Sequence, residues 1–351
     1  MQPPSGARIG ASSMGENTGH CANHTEMAVK RIFVTGASGS VGHYVVDTLV
    51  RNTPHELYLL VRDPNRLQVE TQSRPGVTLV RGDMRDIAQL APLLRTMDTA
   101  VLTAASWGGP DVHRVNVEMT LKLLDLLDPS VCEQVLYFST ASVLNRENQP
   151  LPEAGTLGSA YVRTKYECLT RLPESKMASR ITALFPTVVL GEGARESNVR
   201  LSTLLPQVVK RAGLVRFVKA DASFHFIHGR DIAQVVRYLV DHPETAVGPR
   251  LRVLGQERVT FDQMIEDLCA YLGKPIYWRL SLTGPLLNAV VALLRVRMDP
   301  WDRFCLSYRH FSYRDPVNPA RYGLPNFCAT IADILKIGGI APHPGWTPTV
   351  R

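Results

Sequence analysis

The chain has 351 residues, 45% hydrophobic and 20% charged, ordinary proportions for a globular protein with enough length for a sizeable core in two lobes. Six cysteines without a Cys-x-x-Cys pair or regular spacing argue against a disulfide framework and read as buried thiols of a cytoplasmic protein. The net charge of +7 admits nucleic acid, anionic lipid or an acidic small molecule as partners, and no apolar run of about 18 residues exists to form a membrane-spanning helix.

Residues 1–27 are polar and rich in Gly, Ser, Ala and Asn. They lack apolar periodicity and the apolar centre of a secretory signal, so they read as a disordered tail. His20, Cys21 and His24 lie close together only within this tail, and no metal site is predicted. Met27 directly precedes the first strand, Arg31 to Thr35.

The run Val34-Thr-Gly-Ala-Ser-Gly-Ser-Val-Gly42 joins that strand to a helical stretch from Val41 to Val50. Strand, glycine turn and helix in this order make a pyrophosphate cradle. Gly36 permits the tight turn, Gly39 lets backbone approach phosphate, and Gly42 lets the helix pack closely on the strand. Ser38, Ser40 and Val41 fall within the same cradle. Two residues separate each pair of glycines, a spacing that differs from the common G-x-G-x-x-G.

Further strands are predicted near 56–61, 77–81, 99–104, 134–139 and 180–186, with helical patterns between them. This alternation predicts an α/β protein, a Rossmann-type doubly wound parallel sheet with helices on both faces. The second strand, Tyr58-Leu59-Leu60-Val61, ends in Arg62 and Asp63. A carboxylate there reads a ribose 2′-hydroxyl, whereas a guanidinium suits a 2′-phosphate. Arg62 therefore predicts NADP(H); NAD(H) stays open if Asp63 does the reading.

Ser139 and Thr140 close the fifth strand, and Tyr161-Val-Arg-Thr-Lys165 follows one helix later. Residues four apart share a helix face, so Tyr161 and Lys165 project together. A phenol has an ordinary pKa of about 10. A neighbouring ammonium and an oxidised nicotinamide both favour the phenolate, which predicts a Tyr161 drawn towards neutrality.

This ordered series resembles the extended short-chain dehydrogenases/reductases, the group holding epimerase/dehydratase-type and hydroxysteroid- or dihydroflavonol-reductase-type enzymes. The resemblance runs from about Lys30 to about Pro325. It includes the three glycines, Gly82-Asp83-Met84, Thr103-Ala104-Ala105, Asn116, Thr140, Tyr161, Lys165, Phe185-Pro186-Thr187 and Phe226 to Ala233. It implies catalytic roles for Thr140, Tyr161 and Lys165, with Asn116 supporting a proton path. It places Asp83 and Met84 near adenine, and Thr103, Ala104, Ala105, Lys165, Pro186 and Val188 along the rest of the cofactor. A homodimer is the expectation the family brings.

Departures from the family pattern narrow the substrate. Ala141-Ser142 follows Thr140 where the 4,6-dehydratases carry an Asp-Glu pair, so acid/base groups for eliminating water are missing. Leu144-Asn145 replaces the usual Tyr-Gly, a change expected to alter the cleft wall. Phe224 and His225 stand where nucleotide-sugar enzymes place a diphosphate-clamping arginine. The segment Arg309 to Leu324 resembles the close of the hydroxysteroid- and dihydroflavonol-reductase branch. Phe224, Trp107 and the aromatics of 301–313 are candidates to line an apolar pocket.

The leading expectation is hydride transfer between NADP(H) and a ketone or secondary alcohol, on a small, apolar carbonyl or alcohol substrate. One alternative is a nucleotide-sugar epimerase, with Arg195, Arg200 and Arg230 replacing the missing clamp; another is a non-catalytic, cofactor-binding scaffold. Residues 28–186 are assigned to the dinucleotide-binding domain, to which 226–254 returns, and 187–225 with 255–351 to the substrate lobe. With that fold and no basic stripe or stacking module, no nucleic acid is expected. Leu286 to Leu294, followed by Arg295 and Arg297, reads as a core or dimer helix, with a weak peripheral membrane contact as the alternative.

Overall fold

The computed structural model describes residues 28–71, 74–191, 209–243, 251–284, 286 and 297–348. The tail 1–27, Arg195, Arg200 and nearly all of the apolar run 286–294 lie outside the described residues. Among the described residues no helix is long and apolar enough to cross a membrane.

Six strands follow the predicted positions: β1 Arg31–Thr35, β2 Glu56–Val61, β3 Val77–Arg81, β4 Thr99–Leu102, β5 Gln134–Phe138 and β6 Ile181–Pro186. With Leu251–Leu254 they form one parallel sheet, in the order Leu251–Leu254, β6, β5, β4, β1, β2, β3. β5 and β6 are buried at every position, as apolar runs covered on both faces require. Side chains alternate between two cores: Phe33 joins one, while Ile32 and Val34 join the other.

The chain builds β1, β2 and β3 to one side, then crosses to β4, β5 and β6 on the other. The order therefore reverses between β1 and β4, the place where open α/β sheets bind ligands. Helix Ser40–Asn52 covers one face here and turns Tyr44, Val45, Val46 and Leu49 inward. It packs on helix Gly229–Asp241, whose Ile232, Val235, Val236 and Leu239 are buried. A side chain at Gly229 would collide with the Tyr44 ring, so the close approach of the two helices depends on that glycine.

Two strand boundaries differ from expectation. β4 stops at Leu102 because Thr103 and Ala104 turn aside to bond Thr35. Phe226–His228 does not join the main sheet but pairs with Val188–Leu190 in a separate two-stranded ribbon. The chain leaves the main sheet at Thr187, whose N–H and hydroxyl both donate to the Leu254 carbonyl, at 3.0 and 2.9 Å. Leu251–Leu254 thus occupies the sheet position beside β6.

Beyond this ribbon, Val259–Thr260, Ser223–Phe224 and His310–Phe311 form a small sheet. Helices Phe261–Tyr271 and Ile331–Ile337 each begin with a reciprocal capping box, Thr260 with Gln263 and Thr330 with Asp333. They enclose a third core of Leu190, Phe226, Leu268, Tyr271, Ile331 and Leu335. The aromatics Trp301, Phe304 and Tyr308 stack in series, and Phe311 continues the row tilted by 55° on Tyr308, with 5.2–5.3 Å between successive rings. Trp301, Phe304 and Tyr308 pack against the first core. Arg146 donates to the carbonyls of Tyr308 (2.9 Å) and His310 (3.2 Å), linking this region to the segment after β5.

Candidate active site

The glycine turn is shaped by its neighbours as much as by any ligand. Gly36 has φ of 68°, a conformation glycine adopts without strain. A Cβ there would lie 2.6 Å from Ala104 N and 2.7 Å from Thr103 Oγ1. The Thr103 hydroxyl donates to the Thr35 carbonyl at 2.6 Å, and Ala104 N–H donates to Thr35 Oγ1 at 3.2 Å. The ends of β1 and β4 are thereby locked side by side. Gly42 serves the turn more than the strand: its Cβ would overlap the Gly36 carbonyl and lie 2.9 Å from Thr103 Oγ1.

Gly39 N–H closes the turn on the Gly36 carbonyl at 2.8 Å. As the N-cap of Ser40–Asn52, Gly39 brings no side chain to bond the first turn, and no acidic residue stands there. The positive helix end is left open to an anion. Ser38, Ser40 and Val41 are partly exposed around this mouth, and Ala105 is partly exposed opposite. These features fit a dinucleotide pyrophosphate: a cradle that side chains would fill, beside N–H groups with no side-chain acceptor.

Contacts continue from this cradle across the sheet. Asn116 lies in a π-helical turn, Arg114–Glu118, and is fully buried; such turns recur at functional sites. Its Oδ1 accepts from Ser106 N–H at 2.7 Å, and its Nδ2 donates to the Ser106 carbonyl at 2.8 Å and to Thr164 Oγ1 at 3.0 Å. Asn116 thus ties the segment after β4 to the helix Ala160–Arg171, which carries Tyr161 and Lys165. Ser159 starts that helix, its hydroxyl accepting from Val162 N–H at 3.3 Å.

Lys165 is fully buried, and its ammonium donates to the Phe138 carbonyl at 2.7 Å, at the carboxyl end of β5. It also lies 5.0 Å from the Tyr137 ring centre. Burial lowers its pKa to about 8. Burial pushes the Tyr161 phenol above its ordinary value. In the free protein Tyr161 is therefore not drawn towards neutrality: the ammonium is turned to a carbonyl, and desolvation dominates the phenol. The Trp107 indole stacks on the Tyr161 ring, with centres 4.1 Å apart and planes 20° from parallel.

Thr140 follows β5 and caps the short turn Ala141–Val143. Among the described residues its Oγ1 has only long contacts, accepting from Ser142 N–H at 3.4 Å and lying 3.3 Å from Ser142 Oγ. Leu144 is buried and pairs with Pro150, while Asn145 Oδ1 accepts from Glu147 and Gln149 N–H. Those two residues build a turn rather than a cleft wall.

The remaining candidates sit at the flanks. Arg62 is exposed after β2, beside Asp83. Burial works to raise the Asp83 carboxyl, but its bonds to Arg85, with Arg62 near, hold it below the usual range. Asp83 accepts from Arg85 N–H at 2.9 Å and from its Nε at 3.1 Å. The Met84 side chain is buried in the first core. Pro186 ends β6, and Val188 N–H donates to the His225 carbonyl at 3.2 Å, at the crossing into the ribbon. The Arg230 guanidinium lies over the Phe327 ring at 4.4 Å. A cavity of about 470 Å³ beside the small sheet is lined by Lys219, Arg258, Asp262, Arg309 and His310, residues with no local motif to mark them. Among the described residues no group of three His, Cys, Asp or Glu could hold a metal ion.

A parallel sheet with a glycine cradle at its switch point defines a dinucleotide-binding fold, and comparison with known proteins specifies it. Residues 32–255 match the NAD dependent epimerase/dehydratase family. The chain belongs to that family, and so to the extended short-chain dehydrogenases/reductases. It is 24% identical to a dTDP-4-dehydro-6-deoxy-D-allose reductase from Streptomyces sp. over 288 residues, 74% of this chain and 86% of the relative. The terminal R domain from the myxalamid PKS-NRPS pathway superposes with a TM-score of 0.59 at 21% identity, over 92% of this chain and 87% of that one. The Bordetella bronchiseptica enzyme WbmG, in complex with NAD and UDP, superposes with a TM-score of 0.56 at 15% identity, over 88% and 94%. The two structural likenesses establish the fold.

Proposed function

We propose that this protein is an NADP(H)-dependent reductase acting on a ketone, with Thr140, Tyr161 and Lys165 at the reacting carbonyl. The observation that carries this reading is the placement of Tyr161 and Lys165 on one helix, with Lys165 donating to the Phe138 carbonyl at the end of β5 and Asn116 tying the helix to the segment after β4. Burial pushes the Tyr161 phenol up and lowers the Lys165 ammonium to about 8, which favours a protonated phenol beside a cation. A protonated phenol is the donor that a ketone needs as it becomes an alcohol. Bound dinucleotide supplies the hydride; the chain supplies the proton and the positioning.

In this reading Tyr161 gives its proton to the substrate oxygen as charge develops there. Thr140, whose hydroxyl is only loosely held, donates a hydrogen bond to the same oxygen. Lys165 steadies the phenolate left behind and binds the ribose next to nicotinamide. Asn116 positions Ser106 and Thr164 and supports the path that reprotonates Tyr161. Arg62 reads a 2′-phosphate, and Asp83 with the Met84 backbone flanks adenine. Thr103, Ala104 and Ala105, then Pro186 and Val188, line the rest of the dinucleotide. Residues 28–186 with 226–254 carry the cofactor, 187–225 with 255–351 shape the substrate site, and the protein acts as a cytoplasmic homodimer.

A second reading, a nucleotide-sugar epimerase, draws on the basic cavity with Lys219, Arg258 and Arg309. One experiment separates the two. Purified protein is titrated with NADPH and NADH, then given ketones or sugar nucleotides. The reductase reading expects tighter NADPH binding and net NADPH oxidation matched by alcohol formed. Tightly retained NAD and sugar conversion without net oxidation would establish the epimerase instead.

A further inference from the structure

Large apolar side chains are exposed at nine positions among the described residues. Val29, Leu79, Trp107, Val131 and Leu157 fall singly along the chain, whereas Leu214, Tyr277, Trp278 and Leu280 gather on two paired segments. These four are 72%, 79%, 61% and 57% exposed. Scattered apolar residues on a surface are ordinary, but a group of them marks a surface that meets something.

Printed side by side by their contacts, the two segments form one face. Short strands Val218–Lys219 and Leu280–Ser281 pair in parallel. Leu280 N–H donates to the Phe217 carbonyl at 2.7 Å, and Phe217 N–H donates to the Leu214 carbonyl at 3.2 Å. The Arg216 guanidinium donates to the Pro275 carbonyl at 3.0 Å and lies over the Phe217 ring at 4.7 Å. Phe217 in turn stacks on Trp278, with ring centres 4.8 Å apart. Among the described residues Tyr277, the most exposed of the group, has no hydrogen bond or ring contact.

The charge these segments carry has one sign. Residues 209–219 and 273–284 hold six Lys or Arg and no Asp or Glu. Arg279 pairs with Glu266 at 3.0 Å, and Lys219 lies 3.9 Å from Asp262. Lys210, Arg211 and Lys274 have no ion pair among the described residues. Beyond Gly284 the sequence runs into Leu286–Leu294, then Arg295 and Arg297, the same pairing of apolar and basic residues. This charge selects the occupant. A second copy docking through a twofold axis would set the same cations against each other. Nucleic acid would satisfy the cations but leave Leu214 and Leu280 in water. An anionic bilayer satisfies both.

We infer that this face is a peripheral membrane contact, seating Leu214, Tyr277, Trp278 and Leu280 at the headgroup boundary of an anionic bilayer while Lys210, Arg211 and Lys274 meet its charged headgroups. Tyr and Trp favour that boundary because each ring has an apolar body and a polar tip. Cations beside them add attraction to anionic lipid without entering the hydrocarbon. The contact is independent of the reaction proposed above.

The test is cosedimentation of the full chain with vesicles of phosphatidylcholine, alone or mixed with phosphatidylserine. Wild type is expected to bind the mixed vesicles at least about tenfold more tightly, and to be released as salt rises. Lys210→Gln with Arg211→Gln should weaken binding about fivefold for each charge lost. Tyr277→Ser with Trp278→Ser should weaken it at least about tenfold, whereas Trp278→Tyr keeps most of it. Tyr277→Ser alone changes a side chain without partners, so it should weaken binding at least about threefold with an unchanged thermal melt. The inference is overturned if wild type leaves the mixed vesicles unbound, whether a second copy or residues 286–294 cover the face. It is equally overturned if binding survives undiminished in the charge variant, or if both serine variants bind as wild type does, which would mark a surface for polyanions instead.

Discussion

The two walls of the cleft are built by different means. On the side of the glycine turn, Gly36 and Gly42 meet the residues after β4 through backbone atoms and the short side chains of Thr35 and Thr103, and Gly39 closes on the Gly36 carbonyl. On the side of Tyr161, long side chains reach across the molecule: Arg146 to the carbonyls of Tyr308 and His310, and Trp107 onto Tyr161. The first wall tolerates almost no added atom. The second is assembled from contacts that individual substitutions can trade, a division that lets one fold keep its cofactor while changing its substrate.

Gly42→Ala should give the largest effect, because the new methyl would overlap the Gly36 carbonyl. Dinucleotide affinity is expected to fall at least about a hundredfold, with a stability loss of about 1–3 kcal/mol from overpacking. Isothermal titration and thermal melts check both. Normal NADPH affinity in this variant would erase the contrast between the walls.

A smaller effect sharpens the side of Tyr161. Lys165 is a cation below about pH 8 in the free protein and neutral above it. The raised Tyr161 phenol stays protonated through the same interval, so Lys165 alone should set the alkaline limb. kcat/KM for ketone reduction is expected to fall as pH rises through about 8. Lys165→Arg, which stays charged, should show no such limb whatever its absolute rate. An identical limb in both proteins would assign the titration elsewhere.

What could be read from the sequence follows the same division. β1, β2 and β3 matched their apolar runs, and the helix after Gly39 followed from the glycine turn, because these depend on local periodicity and backbone freedom. Tyr161 and Lys165 were placed on one face by helix geometry alone. The partners they find were not legible. Lys165 reaches the Phe138 carbonyl, and Asn116 grips the backbone of Ser106; a carbonyl or N–H has no letter in the sequence. In the free protein burial, a tertiary property, pushes the Tyr161 phenol up; the lowered value expected beside an ammonium and an oxidised nicotinamide belongs to the loaded site. Phe226–His228 reads as a strand, but only the edge position taken by Leu251–Leu254 shows why it sits outside the main sheet.

The most direct test of the central claim is NADPH-linked ketone reduction by wild type and Tyr161→Phe, with NADPH affinity measured on the same samples. Wild type should convert NADPH and ketone to alcohol in equal amounts. Tyr161→Phe should bind NADPH as tightly but turn over about 10²–10⁴-fold more slowly, the contribution of a positioned proton donor. Undiminished turnover in Tyr161→Phe would contradict the account, because the proton would then come from another group.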